Sequence, residues 1–236
     1  MPDVLLLHIE AAYGNTSFAI SKNGICTDVL FSAQSNQTAD VAHTLVQQIL
    51  DKNKLKFSDL NAVSVSSGPG SYTGLRIAAA MSKGICFAQN IPLIAIPTLQ
   101  AMSYGCIHRY GQTGYDWYIP MIDARRMEVF TALYNHNLNY IIKPCASVLN
   151  EFSFENELKE NTIFFSGNGS NKLKEVLKNP NAIFTDLLFQ ASTLIQLGLN
   201  QFNKNNFSDL AYSQPFYTKE FYTTASAISK IKGLDK

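Results

Sequence analysis

An α/β protein built from mixed β-sheets flanked by helices is what this 236-residue sequence predicts, on three observations. Three strand-length runs open the chain at hairpin distance from one another. Further strand-length runs then alternate with apolar stretches at helical spacing. Third, Ser66-Ser67-Gly68-Pro69-Gly70-Ser71-Tyr72-Thr73-Gly74-Leu75-Arg76 reads as a strand end, a glycine loop and a helix start. Gly68, Gly70 and Gly74 permit close approach or positive φ, and Pro69 stiffens the turn. The first turn of the following helix presents N–H groups that suit a phosphate or carboxylate. A tight turn and a well-capped helix is the plainer alternative. The spacing is neither the Walker pattern, which needs Lys beside Ser or Thr, nor the dinucleotide G-x-G-x-x-G.

The elements follow in order. Val4 to Glu10 is a buried-type strand, Thr16 to Ser21 a second, and Ile25 to Phe31 a third after the Asn23-Gly24 turn, giving an antiparallel meander. Thr38 to Asn53 carries Val41, Leu45, Val46, Ile49 and Leu50 at helical spacing, with Thr38 and Asp40 as capping candidates. Its polar face is short of charge at Gln47 and Gln48, which favours a face that meets another protein. Ala62 to Ser66 is a strand, Leu75 to Gln89 an alanine-rich helix, Ile91 to Ile96 a parallel-type strand, and Thr98 to His108 a helix capped by Thr98. Composition turns polar around Arg109 to Gly114. Trp117 to Tyr134 reads as two strands joined by the charged turn Asp123-Ala124-Arg125-Arg126-Met127-Glu128, and Asn135 to Asn139 as a turn. Asn150 to Lys159 is expected to be a helix, Thr162 to Ser166 a strand, Gly167-Asn168-Gly169-Ser170 a second glycine turn, and Lys172 to Lys178 and Phe189 to Asn203 helices. Pro215 to Lys219 is a short extended segment, followed by a helix or tail of mild basic bias.

An apolar content of 46% supports a substantial core. With 19 basic against 18 acidic residues the net charge is +1, so no global field recruits a polyanion, and nucleic-acid contact would be local or through a partner. The apolar run Val4 to Leu7 is too short for a secretory signal and nothing later approaches a membrane span, so a cytoplasmic protein is expected. Cys26, Cys86, Cys106 and Cys145 are widely spaced, without a C-x-x-C pair, and read as reduced, small apolar residues.

A search for catalytic groups is mostly negative. His8, His43, His108 and His136 offer no H-x-x-x-H or H-E-x-x-H spacing, so no metal site is expected. No G-x-S-x-G elbow surrounds Ser71 or Thr73, and a serine in a glycine loop is ordinarily a cap. Glu10, at the end of the first strand, is the most site-like carboxylate, with a solvent-exposed hairpin acid as its alternative. The turn holding Asp123, Arg125, Arg126 and Glu128 is either a site or a surface turn with ion pairs of its own.

The glycine-loop string Ser67 to Arg76, followed by Pro97-Thr98-Leu99, Ile122-Asp123-Ala124-Arg125 with Glu128-Val129-Phe130, and Pro215-x-Tyr217, resembles the bacterial TsaB family, also called YeaZ, over nearly the whole chain. The resemblance implies the actin-like, Hsp70-like and sugar-kinase-like (ribonuclease H-like) fold. That fold has two related α/β domains, each a mixed sheet flanked by helices, with the second reduced. The corresponding expectation is an N-terminal domain over 1–108, a smaller domain over 109–214, and a terminal segment 215–236 packing back on the first.

It further implies a non-catalytic subunit, despite older glycoprotease labels. Such a subunit binds the metal-containing paralogue TsaD as a heterodimer, or a second copy of itself when alone. It acts with a TsaE-type ATPase, meets tRNA only through the complex, and supports N6-threonylcarbamoylation of adenosine 37 in tRNAs decoding ANN codons. Where TsaD-like relatives place metal-binding histidines, this chain has Pro97-Thr98-Leu99-Gln100. The partner face implied is the first two helices, through Val41, Leu45, Gln48, Gly74, Ala78, Ser82, Gly84 and Ala88. A helix packed wholly on its own sheet is the alternative for the small residues. Gly68, Gly70, Ser71, Thr73 and Glu10 are the nucleotide- or anion-binding candidates, with ATP or ADP in the interdomain cleft or at the partner interface. An ATP-binding, kinase-like enzyme of the same superfamily is the alternative function. Three positions depart from the family pattern. Glu10-Ala11 replaces Asp-Thr, which removes the shorter carboxylate on which Mg²⁺-nucleotide binding depends. Thr38 stands where His is common, and Lys219 where Arg is.

Overall fold

The computed structural model describes residues 3–32, 38–111 and 116–218, and of Thr38 to Val41 only the helical backbone. Two five-stranded mixed sheets carry the chain. In the first, β1 (Leu5–Glu10) pairs antiparallel with β2 (Ser17–Lys22), which pairs antiparallel with β3 (Ile25–Phe31). The α1 helix (Thr38–Lys52) crosses to β4 (Ala62–Ser66), which lies parallel to β1. Then α2 (Tyr72–Gln89) leads to β5 (Leu93–Ile96), parallel to β4, and α3 (Thr98–Tyr110) leaves the sheet.

The second sheet repeats this plan. β6 (Trp117–Asp123), β7 (Glu128–Tyr134) and β8 (Tyr140–Val148) form the meander, α4 (Glu155–Glu160) crosses, and β9 (Ile163–Ser166) lies parallel to β6. After α5 (Ser170–Val176), β10 (Ala182–Thr185) lies parallel to β9. The orders β3-β2-β1-β4-β5 and β8-β7-β6-β9-β10 are therefore the same topology used twice. Finally α6 (Ile195–Asn203) follows a 3₁₀ turn, Ala191–Leu194, and returns to β1 and β5 of the first sheet.

Strand alternation sorts the side chains into layers. Leu7, Ile9, Phe18, Ile20, Val63 and Val65 face α1 and α2 and meet Val46, Ile49, Leu50 and Ala78. The opposite face, with Leu6, Ala62, Ile94 and Ile96, shares one core with Leu99 and Met102 of α3, with Leu194, and with Ile122, Ala132 and Tyr134 of the second sheet. Ile119, Met121, Val129, Leu133, Ile163 and Phe165 face α4 and α5 and meet Leu158 and Leu173. The order is thus helices, sheet, α3 and α6, sheet, helices, and the middle layer joins the halves.

Several elements differ from expectation for local reasons. Thr98 does not cap its own helix. It is the first helical residue, after Pro97, and its hydroxyl accepts the Gly68 N–H at 2.9 Å. Asn150 delays the fourth helix: its side chain accepts from the Phe152 N–H at 2.9 Å and holds 150–154 as a turn. The helix expected over Lys172 to Lys178 begins two residues earlier, at Ser170, whose hydroxyl donates to the Gly167 carbonyl at 2.7 Å. That expected over Phe189 to Asn203 is α-helical only from Ile195. Strands β8 and β10 were not anticipated, since Pro144 interrupts the first and the second is four residues long. The return to the first sheet begins at Ala191, well before Pro215, and Ser208 bridges Leu93 at the β5 edge. Lys219 and the rest of the expected basic tail lie outside the described residues.

Among the described residues no helix is long and apolar enough to cross a membrane. Cys86 and Cys106 are buried and their thiols are pushed up to about 11 by desolvation, which suits inert core residues. Met102, fully buried where the two sheets meet, is the position at which truncation should reach both halves. Met102→Ala is expected to lower stability by about 2–5 kcal/mol, measured by urea unfolding.

Candidate functional site

The glycine loop sits where β1 and β4 end side by side. Its glycines act through close approach more than through an open cradle. A Cβ at Gly70 would collide with the carbonyl and methyl of Ala12, and one at Gly74 with the Ala11 carbonyl, so the loop and the first turn of α2 rest directly on the β1–β2 turn. Gly68, at φ +103°, leaves no room for a side chain beneath the Phe216 carbonyl. Four of the loop's backbone donors are engaged inside the chain. Ser67 N–H reaches Ile96 O at 2.8 Å, Gly68 N–H reaches Thr98 Oγ1, Ser71 N–H reaches Ala12 O at 2.8 Å, and Gly74 N–H reaches the capping Ser71 Oγ at 3.3 Å. Phe216 N–H donates to Ser67 O at 2.7 Å, tying the end of the described chain to the same loop.

Glu10 is fully buried in this joint, which removes the reading of it as a solvent-exposed hairpin acid. Its Oε1 accepts the Ala12 N–H at 2.6 Å and the Ser66 hydroxyl at 3.4 Å, while Oε2 has no protein partner among the described residues. Desolvation pushes its carboxyl up to about 8, against the opposing pull of hydrogen bonds from Ala12, Ser66 and Tyr13. Two residues earlier on the same face of β1, His8 lies between the hydroxyls of Ser64 and Ser21. Burial pushes it down to about 3, so the ring is neutral, and Gly198 lets α6 close over it. Among the described residues no three His, Cys, Asp or Glu side chains are grouped closely enough to hold a metal ion.

The second glycine turn faces Tyr13 of the β1–β2 turn across a cleft. Tyr13 meets the Asn168 backbone through its hydroxyl and packs edge-on against Phe189 at 5.9 Å. A cleft of about 350 Å³ opens there, lined by Tyr13, Asn168, Asn171, Asp186 and Leu188 among others. None of the nucleotide- or anion-binding candidates Glu10, Gly68, Gly70, Ser71 and Thr73 is among the residues that line it. Here too the glycines serve packing: a Cβ at Gly167 would strike Met102 and the Met121 carbonyl, and Gly169 N–H donates to Met121 O at 3.1 Å.

The expected partner residues separate into two groups. Gly74, Ala78 and Ser82 are buried on the inner side of α2, against their own sheet. Gly84 and Ala88 are exposed, with nothing within 4 Å of a Cβ at Gly84, and share the outer face with Ala80 and with Phe87, which is 80% exposed. On α1, Leu45 packs partly against the core, Gln48 is exposed, and the Val41 side chain lies outside the described residues. Phe87 is the residue that sequence reasoning missed. A large ring on the solvent side of an alanine-rich helix was the available signal.

The family described as TsaD, tRNA N6-adenosine threonylcarbamoyltransferase, matches residues 32–232. A relative from Buchnera aphidicola (subsp. Acyrthosiphon pisum), a tRNA threonylcarbamoyladenosine biosynthesis protein TsaB, is 31% identical over 58% of this chain and 60% of its own length. The Escherichia coli TsaB is 35% identical over 41% of each. The chain thus spans between two fifths and three fifths of these curated relatives. Among solved structures, YeaZ from Pseudomonas aeruginosa superposes with a TM-score of 0.77 at 20% identity, covering 91% of this chain and 99% of that one. The activator of 2-hydroxyisocaproyl-CoA dehydratase from Clostridium difficile, with bound ADPNP, gives 0.53 at 9% identity over 86% and 97%. These two likenesses show the fold, which is the actin-like, sugar-kinase-like one.

Two predictions follow from the joint itself. Gly70→Ala forces the loop off Ala12 and is expected to lower the melting temperature by the equivalent of about 1–3 kcal/mol, whereas Ser71→Ala loses only the cap, about 1 kcal/mol. The buried pair also sets a pH profile. Between its ordinary 4.5 and about 8, Glu10 holds a proton in the folded chain that it lacks unfolded, so stability falls as pH rises through that window. Between about 3 and 6.5, His8 lacks a proton when folded that it binds unfolded, so stability rises with pH there. The slopes oppose each other from 4.5 to 6.5, and the Glu10 term alone remains from 6.5 to about 8. Urea unfolding should therefore show a decline across that upper window that Glu10→Gln abolishes; an unchanged decline in the variant would exclude Glu10 as its source.

Proposed function

The chain belongs to the TsaB (YeaZ) family, within the wider family described as TsaD, and from that premise we propose that it is a non-catalytic partner subunit for a TsaD-type transferase in tRNA threonylcarbamoyladenosine biosynthesis. In this reading the heterodimer, joined by a TsaE-type ATPase, modifies N6 of adenosine 37 in tRNAs decoding ANN codons, and the chain self-associates when the transferase is absent. The observation that carries it is the outer face of α2. Ala80, Gly84 and Ala88 let another helix approach closely, and Phe87 stands beside them as an exposed aromatic anchor. Next to it, α1 presents His43, Thr44, Gln47 and Gln48, a polar surface with little charge to desolvate.

The inward Gly74, Ala78 and Ser82 act indirectly here, by seating α2 on its sheet so that the outer row is rigid. Support for a non-catalytic role comes from the loop: the Ser67, Gly68, Ser71 and Gly74 donors are engaged internally, and the buried carboxyl of Glu10 beside it accepts the Ala12 N–H.

Co-purification of the chain with its cognate TsaD-type protein tests the reading. Gly84→Arg, at a site with open space around it, is expected to fold normally and abolish the complex. Phe87→Ala should weaken it by about 30-fold, the scale of a modest interface hot spot. Complexes unaffected by both substitutions would move the interface elsewhere, and threonylcarbamoyl transfer to tRNA by the purified chain alone would overturn the non-catalytic role.

A further inference from the structure

The β6–β7 turn, Asp123-Ala124-Arg125-Arg126-Met127-Glu128, has a structure that closing a hairpin does not require. Arg125 and Arg126 both lie in the left-handed region, at φ +72° and +49°. Adjacent left-handed positions of a hairpin ordinarily carry Asn and Gly, because a side chain with a Cβ is strained there. The turn is nevertheless pinned at every point. Arg125 N–H donates to Asp123 Oδ1 at 2.6 Å, Ala124 N–H to Glu128 O at 3.0 Å, Glu128 N–H to Arg125 O at 3.1 Å, and Asp123 N–H to Asn168 Oδ1 at 2.9 Å. Every one of these bonds leaves the guanidinium groups out.

Of the two readings of the turn, the one with ion pairs of its own does not hold for Asp123, whose partner comes from outside it. The Asp123 carboxylate reaches across to Lys172 Nζ at 2.6 Å, and among the described residues neither arginine joins an ion pair. Glu128 is half-buried and is not without a partner of its own. Both arginines are exposed. Leu149 N–H donates to Met127 O at 2.8 Å, which brings a second exposed group alongside: Val148 at 68% and Phe152 at 67%. Strained backbone, guanidiniums outside every ion pair among the described residues, and an exposed aromatic ring thus share one end of the second sheet, next to the glycine turn at the cleft.

Resting on the tRNA-modification reading above, we propose that this turn is an RNA contact: Arg125 and Arg126 hold backbone phosphates of the tRNA, and Phe152 offers a face for an unstacked base. A guanidinium fork matches phosphate oxygens bidentately, and an exposed ring stacks any base without sequence preference. With a net charge of only +1, two arginines give a local grip that works once the partner has brought the RNA close. An acidic protein surface would engage the same groups, and the test separates the two.

The test uses the complex of the full chain with its TsaD-type partner and a labelled, unmodified tRNA transcript, followed by fluorescence anisotropy between about 50 and 200 mM salt. Arg125→Ala with Arg126→Ala is expected to weaken tRNA binding about tenfold or more and to reduce the slope of log affinity against log salt by about 1.5 to 2. Arg125→Gly with Arg126→Gly relieves the left-handed strain. It should therefore melt at a higher temperature than wild type while binding tRNA as weakly as the alanine pair. Phe152→Ala should lower affinity and leave the salt slope unchanged. Equal affinity and slope for wild type and the alanine pair, in complexes that both assemble, would overturn the RNA contact. Loss of assembly without loss of tRNA affinity would overturn it in favour of a protein contact. Failure of the wild-type chain to assemble with the partner would instead remove the partner-subunit reading, and this inference with it.

Discussion

The direct seating of the glycine loop on the β1–β2 turn is the contact on which the rest of the first half depends. Because Gly70 and Gly74 lack side chains, Ala11 and Ala12 lie against the loop and the first turn of α2. That closeness forces the polar groups of both segments to satisfy one another, since water has no room there. The Ser71 N–H takes the Ala12 carbonyl, and the Glu10 carboxyl takes the Ala12 N–H from below. A buried carboxyl in such a place is more stable protonated than charged, and the same burial that raises Glu10 keeps His8 neutral one residue pair away. The joint fixes where α2 starts, and hence which of its faces points outward.

From that placement the division of α2 follows. Its small residues recur at positions that serve two surfaces. Gly74, Ala78, Ser82 and Cys86 let the helix settle on β4, while Ala80, Gly84 and Ala88 lie on the opposite side with Phe87. A stripe of small residues in a sequence does not say which side it belongs to. The two rows interleave at spacings of three and four, and only the direction in which the loop delivers the first turn tells them apart.

How much was legible follows the same boundary between local and long-range causes. The first-half strands, the glycine loop and the helices after it could be read because alternation, helical spacing and turn residues are local signals. Ser71 as a cap was equally local. Strand β8 was hidden by Pro144, tolerated because β8 lies at a sheet edge, and β10 by its shortness. The state of Glu10 was not legible, because the segment that meets it, at Ser66, comes 56 positions later in the chain. The same holds for Thr98, whose hydroxyl bonds Gly68 across the loop instead of capping its own helix. In the turn of Asp123 to Glu128 the residues could be named, but not that Lys172, from another element, would take the carboxylate and leave the arginines outward.

The repeated topology makes that last difference informative. Each half places a strand-to-strand turn next to a glycine turn at the same end of its sheet. In the first half the glycine turn closes over Glu10 to Ala12 and the polar groups are turned inward. In the second, Gly167 and Gly169 pack instead on the end of β6, under Met121, and the turn from Asp123 to Glu128 is left projecting. Its acid is held by Lys172 and its backbone by four hydrogen bonds, so the turn is rigid without being buried. A single plan thus yields an internal joint in one half and, in the other, a rigid projection whose side chains are available to an external partner. What separates the two outcomes is how far each glycine turn advances over its neighbouring hairpin.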